Sequence, residues 1–224
     1  MGTVLITGAN RGIGLALCRL FKGRGDTVIA VCRNTSPELA ALGVEIVDGI
    51  DGRSDEAVAQ LGRRVADRRL DILVLNAGIL GDDGIGKFDP ALDLDSVREQ
   101  FEVNALAPLR VARQLVPALA NGAKIALMTS RMGSIADNGS GGSYGYRMSK
   151  AALNAMGMSL ARDLKSRGIA VAILHPGYVR TDMTGGSGNV DPADAARMLI
   201  ERIDGLNLEN TGTFWHANGE QLPW

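Results

Sequence analysis

The stretch Thr3-Val4-Leu5-Ile6-Thr7-Gly8-Ala9-Asn10-Arg11-Gly12-Ile13-Gly14 decides the fold. Thr3–Thr7 is a short apolar run rich in β-branched residues, which reads as a strand. Glycines at 8, 12 and 14 then break the chain, and a helical pattern runs from Ile13 to about Lys22. A glycine-spaced turn between a strand and a helix lets the backbone bend tightly and approach an anion, which the first N–H groups of the helix then face. The spacing is G-x-x-x-G-x-G rather than the commoner G-x-G-x-x-G, so a plain tight turn stays open beside the phosphate reading.

The remaining chain repeats this unit. Strands are expected at Thr27–Cys32, Val44–Asp48, Asp71–Leu75, Lys124–Thr129, Ala170–His175 and Gly212–Ala217. Between them lie a short helix begun by Ser36-Pro37 and a charged helix from Asp55 to about Arg68. Next come a long helix from Asp95 to about Leu119 bent at Pro108, another from Tyr144 to about Ser166, and one opened by Asp191-Pro192. The strands are almost wholly apolar rather than alternating, as when both faces of a parallel sheet are covered. The pattern predicts an α/β fold: one domain over residues 1–224, a doubly wound seven-stranded parallel sheet with helices on both faces.

Composition narrows the function. Lys plus Arg number 24 against 25 for Asp plus Glu, so no basic excess exists to neutralise a nucleic-acid backbone. No apolar run approaches a membrane span. The chain enters a strand at once, which leaves no room for a cleavable leader. Cys18 and Cys32 lie singly within apolar runs and read as buried free thiols of a reducing compartment. A cytoplasmic protein without membrane or nucleic-acid partners is expected. Metal ligands are expected to be none, since no Cys, His and carboxylate cluster has metal-site spacing. His175 and His216 read as packed or capping residues.

TGANRGIG resembles the cofactor turn of the short-chain dehydrogenase/reductase family, and further marks follow in order. These are Asn76-Ala77-Gly78 after the fourth strand, Asn104 in the long helix and Ser130 after the fifth strand. Tyr146-x-x-x-Lys150 and Pro176-Gly177-Tyr178-Val179-Arg180-Thr181 complete the series. The ending, from Gly212-Thr213-Phe214-Trp215 to Leu222-Pro223-Trp224, is similar to the small branch holding C-factor and sniffer-like carbonyl reductases. The resemblance implies a Rossmann fold that moves hydride between NADP(H) and a small carbonyl or alcohol. It also implies pairing through the apolar helices around Val111–Leu119 and Ala151–Ala161 into a homodimer or homotetramer.

Tyr146 and Lys150 are one helical turn apart. A phenol is a poor acid or base at neutral pH unless a neighbouring ammonium favours its phenolate. The competing Tyr144 has Met148 in the matching position. By resemblance, Tyr146 is the general acid or base, Ser130 holds the substrate oxygen, and Lys150 also binds the nicotinamide ribose. Ser134 is the rival serine, because the gap from Ser130 to Tyr146 is longer than the family's. Asn104, a polar residue in an apolar stretch, is either a satisfied buried amide or the fourth member of the set, holding a water beside Lys150.

The remaining expected cofactor contacts are Gly8, Asn10, Arg11, Gly12, Ile13 and Gly14 in the turn, with Asn76, Ala77 and Gly78 beside it. The resemblance implies that Asp51 faces the adenine and that Pro176, Gly177, Val179 and Thr181 border the nicotinamide. A ribose hydroxyl calls for an acid after the second strand and a 2′-phosphate calls for cations. Here Cys32 stands in the acid's place with Arg33 beside it, and Arg11 can approach from the turn. This favours NADP(H) over NAD(H). A carbonyl reductase or alcohol dehydrogenase is the expected function; the alternative is a C-factor-type signalling protein that binds NADP(H) with little turnover.

Overall fold

The computed structural model describes residues 1–81, 88 and 91–224. Its strands are β1 (Thr3–Thr7), β2 (Thr27–Val31), β3 (Glu45–Val47), β4 (Leu70–Leu75), β5 (Leu119–Met128), β6 (Ala170–His175) and β7 (Phe214–His216). The α-helices are α1 (Gly12–Gly23), α2 (Pro37–Ala40), α3 (Asp55–Arg64), α4 (Leu94–Phe101), α5 (Ala107–Leu115), α6 (Tyr144–Asp163) and α7 (Pro192–Asp204). The strands form one parallel sheet in the order β3-β2-β1-β4-β5-β6-β7.

Alternate strand residues go to opposite faces, which explains why the runs are apolar throughout. Leu5, Ile29, Leu73, Ile125, Leu127 and Val171 pack under α3, α5 and α6. Their neighbours Val4, Ile6, Val28, Val74, Ala126 and Leu174 pack under α1, α2 and α7. The apolar residues of α5 and α6 serve this core too, since Val111, Ala112, Leu115, Leu153 and Ala161 are buried within the chain. What those helices and α4 leave exposed is instead Leu94, Leu106, Leu109 and Met148.

Besides shifts of a few residues at the ends of other elements, the structure departs from the sequence expectation at β5, at the long helix and at the cap of α7. β5 begins at Leu119, five residues early, because the pairing with β4 jumps from Leu70↔Leu119 to Ile72↔Lys124. The surplus residues include Asn121 and a left-handed Gly122, which read as a turn. The long helix widens into a π-type segment at Glu102–Leu106 rather than bending at Pro108. Pro108 lies one turn later in α5 and has no N–H to return to the Asn104 carbonyl, so a wider winding upstream suits it. Asp191 occupies the cap position of α7 but makes no side-chain cap bond there; its carboxylate pairs with Arg180 at 2.8 Å.

Candidate active site

The strand order reverses between β1 and β4, and a doubly wound sheet opens its ligand crevice at such a point. A cleft of about 460 Å³ lies there, at the carboxyl ends of the strands. Its centre is the glycine turn. Gly8 has φ +65°, and a Cβ on it would lie 2.8 Å from the Ala77 Cα. A Cβ on Gly14 would lie 2.2 Å from the Gly8 carbonyl oxygen. The first turn of α1 has neither a side-chain cap nor an acidic residue, so its N–H groups stay available to an anion. Asn76 fixes the neighbouring strand end: its Nδ2 donates to the carbonyls of Thr7 at 3.0 Å and Gly8 at 3.2 Å. The Thr7 hydroxyl accepts from the N–H groups of Asn76 and Ala77. An elongated crevice with a small-residue cradle and open helix N–H groups fits a pyrophosphate-linked dinucleotide.

One end of the cleft is formed by the loops after β2 and β3. Cys32, Arg33, Asp51 and Arg53 line it. Burial pushes the Cys32 thiol up, so it stays protonated. No ion pair or side-chain hydrogen bond holds the Arg33 guanidinium among the described residues. Arg11 faces Asp182 across the crevice at 2.9 Å, with both side chains well exposed. Sequence reading missed Arg53, whose guanidinium grips Asp51 at 2.7 Å and holds that carboxyl below its ordinary range. An Arg two residues after a loop Asp was the available signal.

At the other end, α6 and the close of β5 bring Ser130, Tyr146 and Lys150 together. The Ser130 hydroxyl accepts from the Met132 N–H at 3.2 Å and, beside the Tyr146 phenol, works to lower its pKa, but burial outweighs that influence and raises it. The Lys150 Nζ lies 5.7 Å from the centre of the Tyr146 ring and donates to the Met128 carbonyl at 3.0 Å. Burial lowers its pKa to about 8. Ser134 is occupied otherwise, accepting the Asp137 N–H at 3.0 Å. Tyr144 is turned away to an edge contact with Phe88.

Asn104 is fully buried. Its Oδ1 accepts from the Ile79 N–H at 2.8 Å, and its Nδ2 donates to the Ile79 carbonyl at 2.9 Å and the Ser149 hydroxyl at 3.0 Å. Ser149 in turn donates to the Tyr146 carbonyl at 2.8 Å. The side chain thus fastens the β4 loop to the helix carrying Tyr146. It also approaches Lys150 across Gly78: a Cβ on Gly78 would lie 3.1 Å from Asn104 Oδ1 and 3.5 Å from Lys150 Nζ.

Pro176 and Thr181 line the cleft, while Gly177, at φ +92°, turns the chain between them and Val179 is buried beneath. His175 stacks edge-on to His216 at 4.9 Å, and burial pushes its pKa down to about 3, leaving it neutral. Among the described residues no group of three or more His, Cys, Asp or Glu could hold a metal ion.

A family model described as short chain dehydrogenase matches residues 2–190. The chain belongs to the short-chain dehydrogenase family. A 1-hydroxy-2-glutathionyl-2-methyl-3-butene dehydrogenase of Rhodococcus sp. (strain AD45) is 41% identical, covering 100% of both chains. The C-signal of Myxococcus xanthus is 43% identical over 69% of this chain and 93% of its own. Among solved structures, the carbonyl reductase Sniffer of D. melanogaster superposes with a TM-score of 0.89 at 30% identity, covering 100% of both chains. A Pseudomonas aeruginosa carbonyl reductase in complex with NADP gives 0.83 at 35%, again covering 100% of both.

In this short-chain dehydrogenase the buried Lys150 is a stability cost. Lowering an ammonium from 10.5 to about 8 corresponds to roughly 3 kcal/mol, offset by about 1 kcal/mol for its bond to Met128. Lys150→Met should therefore raise the unfolding temperature of the cofactor-free protein by a few degrees. Between pH 8 and 10.5 the unfolded chain binds the proton that the folded one has lost, so wild-type stability gains on the variant as pH rises. Thermal unfolding of both proteins at pH 7 and pH 10 checks this. A variant less stable than wild type at pH 7 would show that the ammonium is well solvated or paired.

Proposed function

We propose that the chain, acting over residues 1–224 as one unit, is an NADP(H)-dependent oxidoreductase that interconverts an aldehyde or ketone with an alcohol. The observation that supports it best is the placing of Tyr146 and Lys150 together in the crevice whose far end carries the glycine cradle and Arg33, with Ser130 buried beside Tyr146. The bound nicotinamide would supply or accept the hydride at the substrate carbon. In reduction Tyr146 gives its proton to the carbonyl oxygen, which Ser130 holds by a hydrogen bond. Lys150 favours the phenolate left behind, and its free donor positions serve the cofactor ribose. In oxidation the same groups run in reverse, with Tyr146 taking the alcohol proton.

Arg33, a cation where an acid would suit a bare ribose, supports NADP(H) over NAD(H), as do the neighbours solved with NADP. Two free buried thiols suit a cytoplasmic setting, and no helix among the described residues is long and apolar enough to cross a membrane. The similarity to C-signal favours a second reading, an NADP(H)-binding signalling protein with little turnover. A panel of carbonyl compounds with NADPH and with NADH, followed at the nicotinamide absorbance, separates the two. Binding of NADPH without oxidation by any member of the panel would leave the signalling reading.

The exposed Leu94, Leu106, Leu109 and Met148 lie on α4, in the π-type segment, on α5 and on α6 in turn, as a partner surface would require. A homodimer or homotetramer is expected from light scattering at micromolar concentration, and a clean monomer would remove that part of the proposal.

A further inference from the structure

One arginine links the two ends of the cleft. Arg110, in α5, is only 18% exposed at its side chain. Its Nη1 donates to the Gly52 carbonyl at 3.0 Å and pairs with Glu102 at 2.9 Å, while its Nε pairs with Asp55 at 2.9 Å. Gly52 belongs to the loop after β3 that presents Asp51, Asp55 opens α3 at the end of that loop, and Glu102 opens the π-type segment. Arg53 adds a second tie from that loop, holding Asp51 and reaching Glu99 in α4 at 3.3 Å. The packing between these ties is close, since a Cβ on Gly52 would lie 3.0 Å from the Ala107 Cβ.

The π-type segment continues the connection. Asn104, two residues beyond Glu102, grips Ile79 on both backbone groups and Ser149 on α6, and Ser149 holds the Tyr146 carbonyl. Polar contacts thus run from the loop at the β3 side of the cleft to the helix turn carrying Tyr146 and Lys150. A guanidinium held at three acceptors in a fixed fork is a rigid joint, whereas a lysine can meet them only as a point charge.

We propose that Arg110 is a positioning residue, which transmits ordering of the Asp51 loop by a bound dinucleotide to the Asn104 segment and thence to Tyr146 and Lys150. This rests on the cofactor and catalytic roles given under the proposed function. Occupancy at one end then stiffens the proton-transfer end. Arg113, on the same helix, makes only an exposed pair with Asp55 at 3.4 Å and has no such reach.

The experiment compares wild type with Arg110→Met, Arg110→Lys and Arg113→Met. Arg110→Met should weaken NADPH about tenfold, and at saturating NADPH should lower kcat about tenfold and displace its pH profile. Arg110→Lys should fall between, and Arg113→Met should match wild type. Hydrogen exchange supplies a readout that needs no substrate. NADPH should slow exchange at Ile79 and along the first turns of α6 in wild type, and much less so in Arg110→Met. If Arg110→Met weakens NADPH but keeps kcat, pH profile and this protection, the link does not exist; unchanged behaviour throughout overturns it as well. Should Arg110→Met fail to fold, Arg110→Lys is read by the same criteria. Wild type that turns over no carbonyl leaves the exchange readout to decide, and wild type that binds no NADPH sinks the functional reading and this inference together.

Discussion

Tyr146→Phe is expected to cut turnover of the best carbonyl substrate by roughly 10²–10⁴, the usual worth of a positioned general acid, while NADPH affinity stays within a few-fold. The ring keeps its place near Lys150, and the substitution removes only the phenol hydroxyl. Burial raises the phenol pKa, so at neutral pH the group holds its proton and stands ready as an acid. Reduction should therefore be sustained at neutral pH. It should fall as pH rises through the range, starting near 8, where the Lys150 ammonium fades. Alcohol oxidation needs the phenolate and should rise with pH instead. Single-turnover reduction and oxidation, measured from pH 6 to 10 in both proteins, carry the test. A variant that keeps near-normal turnover would leave Tyr146 without the role of acid.

Features whose chemistry is local in the chain were legible in the sequence. The glycine turn is one: its spacing shows because a Cβ at Gly14 would collide with the carbonyl of Gly8 within the same turn. Tyr146 and Lys150 are another, because an i, i+4 pair shares a helix face wherever that helix packs. The apolar strands announced a two-sided parallel sheet, and its seven strands and their direction agree with that expectation. Features decided by pairing between distant segments were not legible. The early start of β5 depends on Leu119 meeting Leu70 while Asn121 and Gly122 bulge away. The widening at Glu102–Leu106 holds Asn104, whose partners Ile79 and Ser149 do not lie nearby in sequence. Arg53 and Arg110 acquire their roles only from the fold, which gives them Asp51, Glu99, Gly52 and Glu102. The apolar content of α5 and α6 shows the same difference from the other side. It suggested an interface, and the fold spends most of it on the chain's own core.

Arg33→Ala should weaken NADPH by roughly 10- to 150-fold and leave NADH nearly unchanged. A hydrogen bond to a charged group is worth about 1.5–3 kcal/mol, and only NADP carries the 2′-phosphate that Arg33 is proposed to meet. The structure makes Arg33 the better placed of the two candidate cations. Its guanidinium feels the charge of Asp51 but makes no hydrogen bond or close ion pair among the described residues, whereas Arg11 must leave Asp182 to reach a phosphate. That exposed pair costs no more than about 1 kcal/mol to break, so Arg11→Ala should act in the same direction but less strongly. Cys32→Asp added to Arg33→Ala should go further, because Cys32 lines the same end of the cleft and an acid there repels the phosphate and suits a bare ribose. Cys32 is 4% exposed, so the double variant carries a desolvation penalty, and its unfolding temperature must be recorded beside its affinities. Titrating wild type and the three variants with NADPH and NADH gives the answer as a ratio, which a general loss of stability does not imitate. Equal losses for the two cofactors in Arg33→Ala would place Arg33 in the service of the fold or the adenine, and the preference for NADP(H) would have to be withdrawn.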